Sequence, residues 1–311
     1  MVRYLLGRIL GMLVVFIAVS IIAFLLMHSV PGGPFDEEKS PLPPAARANI
    51  LRKYGLDRPL YEQYLRYMWS ALHGDFGTSF QSPTESVIQL IGRTWPVSIQ
   101  LGGLAILLAF TLGPLFGILA AVKQNTWIDY LVTFMSTLGL TAPSFVVALW
   151  LLLLFAVRLR WLPTGGWPNG ATGDWKTVIM PTVALSLGPL GIVARYTRSS
   201  LVEVIHSDYI RTARAKGLPG RAVVINHALR NSLLPVVTVA GLRMAALLEG
   251  SVIVESMFSI PGIGRLAVAS ISARDYPTLQ AIVVVFAVVT VAVNLLVDVL
   301  YTVLDPTIKY A

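Results

Sequence analysis

The sequence predicts an all-α integral membrane protein of about six spanning helices, with both termini in the cytoplasm. Three observations carry this. Of 311 residues, 55% are hydrophobic and 13% charged, whereas a soluble domain carries about a quarter charged residues. Six apolar stretches reach the roughly 20 residues that a helix needs to cross about 30 Å of hydrocarbon. Lys and Arg gather in segments that this layout places on one side of the membrane, as expected of cytoplasmic loops.

The stretches run over Ile9–Met27, Val97–Val122, Tyr130–Val157, Val178–Ala194, Leu233–Val254 and Leu279–Leu304. The first follows Arg3 and Arg8, and its length, with no small-residue cleavage site after it, favours a retained helix over a signal peptide. Those two arginines place the N-terminus inside. The loop 195–232 must then also be inside, and it carries seven Lys or Arg against two acids, Glu203 and Asp208. The loop 31–94 is balanced at seven against seven, as a translocated segment can be. Arg158, Arg160 and Lys176 dissent, because they fall in a loop placed outside.

Four segments follow: 1–30 with the first span, 31–96 as an external cap, 97–304 as a five-span core containing the loop 195–232, and a tail at 305–311. In the cap, the Pro- and Gly-rich run 31–44 ends the first helix. Residues 45–55 read as a short helix stopped by Gly55. An amphipathic stretch from Pro59 to His73 puts Leu60, Tyr64, Tyr67, Met68 and Leu72 on one side. Gly113 and Gly117, four apart, share a face that lets another helix approach closely. Pro114 and Pro143 predict kinks.

Several function classes fall away at once. There is no cysteine, so disulfides, thiolate metal sites and cysteine nucleophiles are excluded. The formal charge of +8 is explained by cytoplasmic loops, and no basic run alternates with aromatics as nucleic-acid binding would require. The four histidines lack metal-ligand spacing. No Gly-Lys pair occurs, so no phosphate-cradling Walker A loop is present. Any energy input must come from another chain or from an ion gradient.

The loop 195–232 has its own helix. Ser207 or Asp208 can cap its start, and Arg214 and Lys216 complement the negative end of its dipole. Gly217 permits a left-handed ending, and Pro219 prevents continuation. Its small positions Ala213, Ala215 and Gly217 would let it sit in a groove. Together with Arg211-Thr212-Ala213, three residues, Gly217 and a later Leu234-Pro235, this segment resembles the coupling loop, or EAA loop, of binding-protein-dependent ABC importer permeases. The first two positions depart from Glu-Ala, and the spacing to Leu-Pro is about five residues longer than the general pattern. Both departures are familiar in the peptide and nickel branch. Tracts such as Val30-Pro31-Gly32-Gly33, His73-Gly74-Asp75-Phe76-Gly77, Glu255-Ser256-Met257-Phe258 and Asn294-Leu295-Leu296-Val297-Asp298 are similar to that branch, and most similar to its oligopeptide members.

The resemblance implies a type I importer permease in a bacterial inner membrane, carrying short peptides and catalysing nothing itself. It implies a second, homologous permease, two cytoplasmic ATPase subunits that hold ATP and Mg, and an external peptide-binding protein. No cofactor is expected on this chain. ATPase coupling would fall to Ser207, Asp208, Tyr209, Arg211, Thr212, Ala213, Arg214, Ala215, Lys216 and Gly217. Charges within an apolar bilayer are costly and commonly functional, so Arg243, Glu249, Glu255 and Asp298 are candidates for a pore or gate, and Met244, beside Arg243, is taken with them. Dipeptides, nickel chelates, glutathione and oligosaccharides are alternative cargoes. An ion-coupled carrier, using Arg243, Glu249 and Asp298 as its path, is the alternative from another class.

Overall fold

The computed structural model describes residues 2–29, 51–52, 55–82, 84–168, 174–229 and 246–304, with Ser232, Val236, Gly241 and Met244. The regular structure among these residues is helical, and their one extended pairing is an isolated bridge between Thr78 and Ser86. The chain divides into two compact units. One comprises Met1–Pro96 with Arg265–Val288, and the other Val97–Gly264 with Val289–Tyr310.

Among the described residues, four helices are long and apolar enough to cross a membrane, or five if one sharply bent pair counts as a single span. The first is α1 (Val2–Ser29), which has no acid in its first turn and continuous hydrophobicity. Only 17% of its apolar window is buried, which suits a helix whose outer face is solvated by lipid. In the same unit, α2 (Leu60–Leu72) is the amphipathic cap helix. Ser20 and Tyr64 share a hydrogen bond of 2.7 Å that ties α1 to α2. Gly55 stands at φ +66°, and the amide of Leu56 bonds the Leu51 carbonyl at 2.9 Å. Of the short helix expected at 45–55, residues 45–50, 53 and 54 lie outside the described residues.

The second unit is organised around α6 (Lys176–Ile205), half of whose apolar window is buried. Helix α3 (Val87–Val122) begins ten residues before the predicted span and passes Pro114 without a break. Pro143 does more than kink its helix. Ala142 is extended at φ −73°, ψ 121°, as a residue before proline tends to be. The predicted third span is therefore two helices, α4 (Trp127–Thr141) and α5 (Ser144–Leu151), the latter continuing in wider π turns through Arg158. They meet at 105°.

Small residues hold these helices together. A Cβ on Gly117 would stand 2.5 Å from the Thr197 Cβ and 2.6 Å from the Ala194 carbonyl, and one on Gly113 would stand 2.7 Å from Val193. The face expected to admit another helix thus admits α6. On the other side of α6, a Cβ on Gly139 would meet the Leu187 carbonyl at 2.7 Å, and one on Gly191 would meet the Ser136 carbonyl.

Three predicted boundaries move. Helix α6 runs about three turns past Ala194, so residues 195–205 are helix rather than loop. Much of the first half of the predicted fifth span lies outside the described residues. What is described of it is helical to Leu248, then turns at Gly250 with φ +93°. Val254 belongs instead to a separate short helix, α9 (Val252–Met257). A further apolar helix, α10 (Ile263–Ser272), precedes α11 (Tyr276–Leu304), which covers the predicted sixth span.

Candidate functional site

The segment after α6 forms a short helix, α7 (Asp208–Ala215), followed by α8 (Gly220–Ala222), which runs on in π turns over Val223–Ala228. Ser207 occupies the N-cap position with extended dihedrals of φ −71°, ψ 154°. Its hydroxyl, however, donates back to the Val204 carbonyl at 2.6 Å and accepts no amide of α7. Asp208 does not cap either: its carboxylate accepts from Arg211 at 3.1 Å. The C-terminus follows the sequence more closely. Gly217 lies at φ +80°, its amide bonds the Arg214 carbonyl at 2.9 Å, and the Leu218 amide bonds the Ala213 carbonyl at 3.4 Å. This is the Schellman ending, in which a glycine beyond the helix satisfies otherwise orphaned carbonyls.

Helix α7 presents two unlike faces. Ile210 is fully buried and Ala213 nearly so, packed with Ala121, Leu201, Val223 and Ala228. Ala213 therefore packs the helix against its own chain. Asp208, Tyr209, Arg211, Thr212, Arg214, Ala215, Lys216 and Gly217 are exposed, and Ser207 half-buried. The arrangement is a rigid, predominantly basic knob seated on an apolar base.

Beneath it lies an ion pair that the sequence did not advertise. Arg198, on α6, grips Asp129, in the first turn of α4, with both ends of its guanidinium; the Nη2–Oδ2 contact is 2.7 Å. The Asn125 amide adds a bond of 3.0 Å to the same carboxylate. Asp129 is 2% exposed and Arg198 28%. The bidentate fork fixes geometry as well as charge. Because breaking a buried pair strands the remaining charge, the two truncations should be unequal. Arg198→Ala strands a buried carboxylate and should cost about 3 kcal/mol. Asp129→Ala leaves an arginine that can reach water and should cost about 1–2 kcal/mol. Chemical unfolding of the detergent-purified variants reads the difference; equal losses would mean that the pair is not the strut drawn here.

The pore candidates fare differently. Arg243 lies outside the described residues, and so does the side chain of Asp298, whose backbone is within α11. Met244 is half-buried. Glu249, also half-buried, accepts a hydrogen bond from Thr290 on α11. Glu255 is fully buried and accepts from Ser98 Oγ at 2.7 Å, while Ser98 Oγ accepts the Ile263 amide at 2.9 Å. Gly250, Gly262 and Gly264 close around its carboxylate. A cavity of about 280 Å³ opens beside Gly139, Gly188, Ala246 and Ser251, and among the described residues none of Met244, Glu249 and Glu255 lines it.

The chain is similar to known proteins along its length. A family described as the binding-protein-dependent transport system inner membrane component matches residues 113–310, and the N-terminal part of such membrane components matches residues 1–102. The oligopeptide transport system permease protein OppB of Escherichia coli (strain K12) is 43% identical over 310 residues, covering 100% of each chain. The dipeptide transport system permease protein DppB of Bacillus subtilis (strain 168) is 40% identical over 309 residues, covering 99% of this chain and 98% of that one. Among solved structures, an inward-facing MetNI methionine ABC transporter chain aligns with a TM-score of 0.59 at 16% identity, covering 70% of this chain and 97% of its own. At that identity the likeness is one of fold.

Proposed function

Because the chain belongs to the binding-protein-dependent transport system inner membrane component family, we propose that it is the permease subunit of an ATP-driven importer of short peptides. It is a multi-pass protein of a bacterial inner membrane. The observation that carries the cargo is the full-length identity, 43% and 40%, to an oligopeptide and a dipeptide permease. ATPase and substrate-binding partners accompany such a permease. The finer reading is a second, homologous permease beside this chain, two ATPase subunits that hold the ATP and Mg, and an external binding protein that delivers peptide. This chain then binds no cofactor and performs no catalysis.

Helix α7 is the coupling element of this reading. Its exposed face would enter a groove on an ATPase, and its buried face, through Ile210 and Ala213, would hand the movement to Leu201 on α6 and Ala121 on α3. The basic charge at the end of α6 and on α7 supports a cytoplasmic position for that face.

Gly217→Asp tests this assignment. A Cβ at Gly217 would meet nothing within 4 Å, so the substitution creates no clash and costs about 1 kcal/mol through the left-handed backbone alone. It does place a negative charge on a basic surface. The variant should reach the membrane at normal levels, and peptide-stimulated ATP hydrolysis by the purified complex should fall at least tenfold. Undiminished stimulation would remove α7 as the coupling element.

A further inference from the structure

The unit formed by Met1–Pro96 and Arg265–Val288 encloses a cavity of about 390 Å³ between α1, α2 and the start of α11. That is within the range of small-molecule pockets, about 300–1,000 Å³. Two features set it apart from a packing defect. First, Tyr67 Oη and Gln280 Nε2 both belong to residues that line it, and both are buried without a hydrogen-bond partner. Gln280 is only 3% exposed. Buried polar groups are nearly always paired, and one left unpaired costs stability unless it serves something. Both are donors, and burial raises the Tyr67 hydroxyl well above its ordinary pKa, so it stays protonated and offers its hydrogen at any working pH.

Second, the lining carries both signs of charge. Arg58 and Arg66 line the cavity and converge on the single carboxylate of Glu62, and Arg52 lines it as well, so that the arginines outnumber the carboxylates of Glu62 and Asp75 by one. Asp75 lines it too, with one carboxylate oxygen taken by the Gly77 amide at 2.9 Å. Aromatic rings, including Phe24 and Tyr276, complete the wall. Unpaired donors with surplus guanidinium charge suit an oxyanion, a lone carboxylate suits an ammonium, and the rings suit an apolar body between them.

We infer that this cavity is a binding site for the free carboxylate end of a short zwitterionic peptide, and that Tyr67 and Gln280, whose donors are closed off in the unliganded fold, turn them toward the carboxylate on binding. This rests on the peptide-importer reading and adds to it a cargo site on the permease itself, lined by none of the candidate pore residues Met244, Glu249 and Glu255. A phospholipid headgroup has similar chemistry and is the competing source of the oxyanion.

The test uses the complete membrane complex in phosphatidylcholine nanodiscs, without the binding protein, titrated calorimetrically with tri-alanine. Tri-alanine should bind saturably and its C-terminal amide should not. Tyr67→Phe and Gln280→Leu should each weaken binding tenfold or more, as expected for a lost hydrogen bond to a charged group. Neither should lower the unfolding temperature, because each removes a polar atom that lacks a partner in the unliganded fold. Three results would overturn the inference: no saturable binding, equal binding by both variants, or loss of the variant-sensitive binding when phosphatidylglycerol is added, which would assign the cavity to lipid. ATP hydrolysis by the same complex with its binding protein keeps the two readings apart. Peptide stimulation without a cavity signal would refute the cavity alone, whereas absence of stimulation would refute the importer reading.

Discussion

Gly117→Val should all but eliminate folded protein recovered from the membrane, while Gly103→Val, on the same helix, should be close to silent. The contrast rests on what each new side chain would meet. At Gly117 a Cβ falls 2.5 Å from the Thr197 Cβ and 2.6 Å from the Ala194 carbonyl, and neither neighbour is the end of a flexible chain. The methyls of valine reach further still. Helix α6 would have to withdraw, and the Gly113–Val193 contact one turn away would open with it. Overpacking a well-filled interior costs about 1–3 kcal/mol, and here rigid backbone puts the cost at about 3 kcal/mol or more. Gly103 has nothing within 4 Å of its would-be Cβ, so valine there meets no obstacle. Fluorescence-detected size exclusion of detergent extracts measures both variants at once. Equal recovery would mean that α3 and α6 are not in contact through this face.

Glu255→Ala should be the most destabilising loss of a side chain in the second unit. The carboxylate is fully buried and ties the start of the α3 span, through Ser98, to the turn before α10. Removing it deletes a hydrogen bond to a charged group, worth about 1.5–3 kcal/mol, and leaves Ser98 with one partner fewer. It also opens a void that three glycines cannot fill, because they have no side chains to move inward. The expected total is about 3–4 kcal/mol. Glu255→Gln keeps the shape and an acceptor oxygen and should lose much less. Denaturant unfolding of both variants separates the readings. Were alanine and glutamine equally tolerated, with a changed uptake rate, Glu255 would return to the gate role that its sequence context suggested.

How far the sequence carried depends on the range of the interaction. The spans were legible because bilayer solvation is a bulk property of twenty-residue windows, and α1, α3, α6 and α11 follow from it. The end of α7 was legible because Gly217 and Pro219 act within one turn. Its start was less so, since the Ser207 hydroxyl chose the Val204 carbonyl over the helix amides, a competition between two local bonds of similar strength. Pro143 was correctly suspected, but a proline fixes only its own φ and its neighbour's preference; the 105° between α4 and α5 is set by packing. The pairs that hold the fold were invisible. Asp129 and Arg198 are 69 residues apart, and Ser98 and Glu255 are 157 apart. An aspartate in a first helical turn looks like an ordinary complement to the dipole, so nothing local distinguished it from a buried strut.

The course of α6 sets a constraint on how this chain can change. Along one helix, Gly191 meets Ser136, Val193 and Thr197 meet α3, Arg198 meets Asp129, and Leu201 meets the base of α7. Each partner reads a different azimuth of the same cylinder, and every residue added turns all later azimuths by about 100°. A single insertion between Gly191 and Leu201 therefore cannot be absorbed locally: it would aim Arg198 away from its carboxylate and lift α7 from its seat together. That decade of residues has a fixed phase, and length variation among related chains should be confined to either side of it.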